Sequence, residues 1–364
     1  MIKRTTPWAF ALAVAIGAAL ASAPARDPWQ DVLDQPAMKT PLAQHALING
    51  LALAGERIVA VGQRGDVLLS DDRGTTWRQA DVPVSSDLVA VSFPTPTDGW
   101  AVGHDGIVLR SKDAGATWAR ALDGRQIGAL MIDYYKREAA NLGDEKRAAA
   151  LLAESERFAA QGPEYPFLDI AFEDADTGYL VGAFGLILRT RDGGATWQPM
   201  LHAIDNPKAL HLYAVRAVAG GVYIAGEQGL FLELDRSAGN GGRFRAIELP
   251  YKGTLFGITG TPHALLVHGL RGTLLRSTNA GSSWQPVTTG LQVGLTASST
   301  DAQGRIVIVS QAGHVLISRD EGASFAPVKL DKPLPAAAVA LAGASAIVVG
   351  GPRGLAQQTL PAQP

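Results

Sequence analysis

Ser70-Asp71-Asp72-Arg73-Gly74-Thr75-Thr76-Trp77 decides the fold, because the stretch recurs. The pattern returns with Ser111, Asp113, Gly115 and Trp118, and again with Thr190, Asp192, Gly194 and Trp197. Two relaxed copies carry Ser277, Asn279, Gly281 and Trp284, then Ser318, Asp320, Gly322 and Phe325. Trp77 and Trp118 are 41 residues apart, as are Trp284 and Phe325. A fixed period of this length marks a repeat architecture. Within each octet the Asp and the hydroxyl residue suit bonding to nearby backbone amides, and the glycine takes a positive φ that a Cβ would penalise. The aromatic residue then packs between neighbouring sheets. With one Asp per repeat, these carboxylates read as turn scaffolding rather than catalytic groups.

Ahead of each octet lie an apolar strand, a Gly-x-x-Gly turn and another apolar strand. Gly62-Gln63-Arg64-Gly65 and Gly103-His104-Asp105-Gly106 are the first two turns. Gly182 to Gly185, Gly226 to Gly229 and Gly269 to Gly272 follow, and looser versions end at Gly313 and Gly354. That makes seven units, each with room for about four short strands. The expected fold is all-β, a seven-bladed β-propeller over residues 29–361, with a linear β-solenoid as the alternative. The last unit ends near Leu360, too early to supply its own outer strand. The segment near residues 36–43 is expected to donate that strand, close blade 7 and remove a free sheet edge.

The spacing breaks once. Trp118 and Trp197 are 79 residues apart, and the surplus is residues 124–162. Ile127, Leu130, Met131 and Tyr134 follow helical spacing; Gly143 and Asp144 make a break and an N-cap. Ala148, Leu151, Leu152, Ser155, Phe158 and Ala159 form a second apolar stripe, so a helical hairpin is expected between blades 2 and 3. It either packs on the rim or serves as a docking arm. Strand parity puts the hairpin and the Gly-x-x-Gly turns on one face and the octets on the other. Arg64, Arg271 and Arg353 hold equivalent turn positions and would suit bidentate clamping of an acidic partner segment. With Tyr134, Tyr135 and Arg137 of the first helix they are the candidate partner-binding residues.

Composition excludes other classes. Of 364 residues, 47% are hydrophobic and 18% charged, which is globular. Lys and Arg number 32 against 34 Asp and Glu, so no positive field points to nucleic acid. There is no cysteine, which removes disulfides, thiolate nucleophiles, cysteine-bound zinc and a lipid-modified cysteine. Lys3, Arg4, the apolar run from Trp8 to Leu20 and small residues to Ala25 read as a signal peptide over residues 1–25, cleaved after Ala23 or Ala25. An uncleaved anchor is the alternative. The mature chain is then expected in the periplasm, soluble or peripherally membrane-associated. Among the histidines, His104, His268 and His314 lie in or beside Gly-x-x-Gly turns, where a shared metal competes with plain turn and surface roles. No His-x-x-x-His, Gly-x-Ser-x-Gly or phosphate-loop motif occurs, so neither catalytic residues nor a cofactor or metal is expected.

A longer composite unit is more specific. Val89-Ala90-Val91-Ser92-Phe93 precedes Asp98-Gly99-Trp100-Ala101-Val102-Gly103, and Leu168-Asp169-Ile170-Ala171-Phe172 precedes Asp176-Thr177-Gly178-Tyr179-Leu180-Val181-Gly182. This composite resembles the photosystem II stability/assembly factor family of seven-bladed propellers. The resemblance implies a non-catalytic assembly scaffold on the lumenal or periplasmic side that binds subunits of a membrane protein complex through an arginine-bearing surface. Outside phototrophs, family members look like periplasmic companions of membrane complexes, RND-type transporters included. The octet alone is the Asp-box (BNR) repeat, shared with sialidases, so a carbohydrate-active propeller is the second reading. The Phe-Arg-Ile-Pro string of those enzymes is absent.

Overall fold

Seven antiparallel sheets follow one another along the chain in this computed structural model, which describes residues 30–239, 241–330 and 333–360. Blade 1 is Ile48–Ala54, Arg57–Gly62, Val67–Ser70 and Arg78–Gln79, hydrogen-bonded in that order. Four more blades begin at Leu88–Ser92, Phe167–Phe172, Leu212–Val218 and Leu255–Thr261 and keep the same four-stranded order. So does blade 6, from Leu295–Thr300 to Ala326–Val328. Blade 7 has three strands, Ala338–Leu341, Ala346–Gly351 and Gly354–Thr359. The chain is an all-β seven-bladed propeller carrying two inserted helices. The signal peptide expected over residues 1–25 lies outside the described residues. Among the described residues no helix is long and apolar enough to cross a membrane.

Second strands read as continuous apolar runs because both of their faces are covered by neighbouring blades. Val59, Ala60 and Val61 of blade 1 are all fully buried. Val59, Val61 and Leu69 share one cluster with Ala101, Ile107, Leu109 and Trp118 of blade 2. The core therefore lies between blades, and the octets hold the blade ends in place. In the first octet the Ser70 hydroxyl accepts the Gly74 N–H at 2.7 Å and donates to Asp72 Oδ1 at 2.8 Å. Asp72 Oδ1 then accepts the Thr76 N–H at 2.8 Å, and Oδ2 accepts the Thr76 hydroxyl at 2.6 Å. The same net recurs around Asp113, Asp192, Asn279 and Asp320.

The ring closes differently from the expectation. Residues 36–43 add no strand to blade 7; they run beside the outer edge of blade 1 instead. The Ala37 N–H donates to the Val82 carbonyl at 3.1 Å, and the Gln79 side chain accepts from Thr40 N–H at 2.9 Å and donates to Met38 O at 3.1 Å. Closure comes from side-chain packing. Ile58 of blade 1 clusters with Ala340, Ala342 and Val348 of blade 7, with Leu51, Trp77 and Leu355 against them. Among the described residues no strand is donated to blade 7, and the apolar faces of the first and last blades cover each other.

The insertion forms α1 (Gly124–Glu138) and α2 (Glu145–Gln161). Asp123 caps α1: its Oδ1 accepts the Arg125 N–H at 3.0 Å, while its own N–H donates to Gln126 Oε1 at 3.1 Å. Asp144 caps α2 by accepting from Lys146 and Arg147 N–H groups. Gly128 lets the helices touch, since a Cβ there would stand 2.4 Å from Ala159 Cα. Ile127, Met131 and Phe158 join Trp100, Val108, Phe167 and Trp197 in the core between blades 2 and 3. The hairpin is thus a packed part of the body.

Candidate docking face and central cavity

The first halves of the innermost strands, next to the Gly-x-x-Gly turns, enclose a cavity of about 560 Å³ on the propeller axis. Asn49, Asp87, His104, Asp169, Tyr213, Arg216, Phe256 and Gln311 are among its walls. Each turn around its mouth is fixed by the blade it belongs to. In blade 1 the Gln63 N–H donates to Leu47 O at 3.1 Å, and in blade 2 the His104 N–H donates to Asp87 O at 2.9 Å. The backbones approach so closely that a Cβ on Gly62 would lie 2.1 Å from Leu47 O.

Two sequence-chosen arginines stand on this face. Arg64 and Arg271 occupy positive φ values of 53° and 59° at the tips of their turns and are exposed. Neither makes an ion pair among the described residues. The Arg64 N–H donates to Asp87 Oδ1 at 2.7 Å, so its backbone is anchored while its guanidinium projects. Arg353 is exposed as well, but in a different turn: Gly351 pairs directly with Gly354 across a two-residue hairpin. Its equivalence to the other two does not hold in backbone conformation.

The helix residues lie elsewhere. α1 starts beside the blade 2 turn, where a Cβ on Gly106 would meet Gly124 Cα at 2.7 Å, and packs along the outer strand of blade 3. Tyr135 is buried there, its hydroxyl 3.3 Å from His202 Nδ1, and burial pushes the phenol well above its usual range. The same burial lowers His202 to about 4. Tyr135 is an anchor, unavailable to a partner. Tyr134 is half-buried, its ring 5.7 Å from that of His202, and Arg137 is exposed. Tyr134 packs on Tyr135 and His202 beside the outer strand of blade 3, and no contact among the described residues brings it or Arg137 to Arg64 or Arg271.

Sequence reasoning missed the aromatic path on the turn face. Tyr165, Phe184, His211, Tyr213 and Phe256 make successive edge contacts, with ring centroids 5.4, 4.7, 6.3 and 5.7 Å apart, from the base of α2 into the cavity. Phe184 is 48% exposed and Leu270 is 37% exposed, both in Gly-x-x-Gly turns. A signal existed: these two apolar residues stand where the turns of blades 1 and 2 carry Arg64 and His104.

The cavity carboxylates are engaged. Asp169 accepts the Val215 N–H at 2.8 Å and pairs with Arg216; burial raises its pKa, and the guanidinium opposes that rise. Asp87 holds the Arg64 turn. His268 is fully buried, with Nδ1 3.1 Å from Leu295 O and Nε2 2.9 Å from Ser298 Oγ, and burial lowers it to about 4. His314 Nδ1 lies 3.0 Å from Ser310 Oγ, while His104 sits at the cavity mouth. Each histidine has its own neighbours, and no metal-ligating cluster forms among the described residues.

A sequence model described as photosynthesis system II assembly factor YCF48 matches residues 17–136 and 161–285. The chain belongs to the YCF48 family. The gap in the match, residues 137–160, covers nearly all of α2. The photosystem II assembly lipoprotein Ycf48 of Synechococcus sp. (strain CC9902) is 26% identical over 156 residues, 43% of this chain and 46% of that protein. The chain therefore matches about half the length of this curated YCF48 relative. A solved YCF48 bound to a D1 peptide is similar with a TM-score of 0.60 at 17% identity, covering 92% of this chain and 99% of that one. YCF48 from Cyanidioschyzon merolae gives 0.58 at 17% identity, covering 88% and 98%. The GH74 enzyme of Niastella koreensis gives 0.61 at 12% identity over 86% of this chain and 52% of its own. At such identities these likenesses show the propeller fold alone.

Proposed function

We propose that this protein is an exported, non-catalytic scaffold that holds an extramembrane segment of a membrane protein complex during assembly. The observation that carries the reading is the turn face: an aromatic path ending in a central cavity, flanked by exposed Arg64 and Arg271, which make no ion pair among the described residues. Aromatic and arginine anchors around a concavity suit an extended acidic peptide. Membership of an assembly-factor family, and a family relative solved with a D1 peptide, support a peptide of membrane-protein origin. In a host without photosystems the partner is another multi-subunit membrane complex, an RND-type transporter being one such case. A periplasmic location follows from the reading of residues 1–25.

The carbohydrate-active reading finds less support. A glycosidase needs one carboxylate to protonate and another to attack or activate water. Here Asp169 is committed to Arg216 and a backbone amide, and Asp87 to the Arg64 turn. Affinity purification of the tagged protein from native membranes tests the proposal. Recovery of subunits of one membrane complex is the expected result. Recovery of none, together with hydrolysis of a glycoside by the purified protein, would reject it.

A further inference from the structure

Arg110 and Arg189 occupy matching places in blades 2 and 3, opposite Trp100 and Tyr179 in register. Arg110 lies 5.0 Å over the Trp100 ring and pairs with Asp98 at 3.2 Å. The acid comes from the residue before Gly99. In blade 3 the residue before the matching Gly178 is Thr177, so Arg189 has lost its counter-ion. Yet Arg189 is the more deeply placed of the two, only 5% exposed. It donates one bond, Nη1 to Gly241 O at 2.7 Å, and its buried Nε, like that of Arg110, has no partner. Glu173, the acid that acts on it, already holds Arg236 and the Tyr179 hydroxyl.

A second cation is added rather than an anion. Arg191 is exposed and makes no ion pair among the described residues. A Cβ on Gly241 would stand 1.9 Å from Arg191 Nη2 and 2.0 Å from Arg189 Nη1, so two guanidinium groups converge on that glycine, which holds φ +97°. Tyr134 of α1 stands within range of both charges. A buried guanidinium whose neighbouring acid is already shared is costly, and two converging forks suit one planar or tetrahedral oxyanion.

We propose that Arg189 and Arg191, where they converge beside Gly241, form a binding site for a single oxyanion at the outer end of the blade 3–4 junction. The site is separate from the docking face and does not depend on it. The same chemistry is offered by free phosphate or sulfate and by the carboxylate of an acidic peptide.

Thermal melts of the full chain at matched ionic strength test the site. Phosphate, sulfate and a glutamate-rich hexapeptide are each compared with chloride, for wild type, Arg191→Gln and Thr177→Asp. The expected result is a rise of about 2–4 °C at saturation in wild type. It is at least halved in Arg191→Gln and abolished in Thr177→Asp, whose new carboxylate repeats the Asp98 arrangement and raises the melting temperature in chloride. A response to phosphate or sulfate assigns the site to free oxyanions; a response to the peptide alone assigns it to a partner's carboxylate. Equal shifts in all three proteins, or no shift beyond chloride, would overturn the proposal.

Discussion

At Asp192 one carboxylate accepts three bonds, from the Thr190 hydroxyl, the Thr196 N–H and the Thr196 hydroxyl. Asp192→Ala should cost about 1–2 kcal/mol in chemical denaturation. Asp192→Asn should cost less than half of that, because Asn279 already serves in blade 5, donating from Nδ2 to Ser283 Oγ at 2.9 Å. The equivalent bonds of the first octet hold Asp72 at about 2, below its ordinary 3.8, with the Thr76 hydroxyl the main cause. Asp192 is lowered likewise. A carboxyl depressed on folding contributes stability that is complete above its unfolded value and lost as pH falls through the folded one. Denaturation midpoints should therefore fall between about pH 4 and pH 2, and a flat profile across that window would count against this role. The octets were readable in sequence because every partner lies within four residues. Tyr134 and Tyr135 were not separable that way: adjacent helix positions differ by about 100°, and the depth of each depends on His202.

The helical hairpin was legible as an element and not as a placement. Its apolar spacing and the Gly143-Asp144 break predict two helices within residues 124–162, and α1, the Ala139–Leu142 link and α2 fill that span. What spacing does not reveal is that Ile127, Met131 and Phe158 complete the core between blades 2 and 3. Met131→Ala should therefore destabilise by about 2–4 kcal/mol, as in any buried large-to-small change. Deleting residues 124–162 should lower the melting temperature outright, because Trp197 and Phe167 lose their cover. A deletion that melts like wild type would show that the hairpin is an appendage. Its N-terminal end is tied down as well: Arg125 bonds both Asp123 and Asp34, and the bonds from Arg125 and then Arg120 hold Asp34 at about 2. This tie crosses 91 residues of sequence and no local pattern announces it.

For the whole molecule, counting copies of one module is enough to predict seven blades, since each copy must bury its faces against the next. The same counting fails at the seam, where Leu51, Trp77 and Leu355 seal three strands against four with no strand donated among the described residues. It also fails to sort surface residues, because parity assigns loops to faces but not the course of a helix across the rim. The result is a molecule with two distinct surfaces: a turn face with Arg64, Phe184, Leu270 and Arg271, and an octet face whose turns are each held by their own Asp or Asn. Partner capture is assigned to the first. Its most direct test is quantitative capture of detergent-solubilised native membranes by wild type, by Arg64→Glu with Arg271→Glu, by Phe184→Ala, and by Lys112→Glu within the second octet. At least tenfold weaker capture, a change of about 1.4 kcal/mol or more, is expected for the first two variants and no change for Lys112→Glu. Undiminished capture by the Arg64→Glu, Arg271→Glu protein and by Phe184→Ala would contradict it.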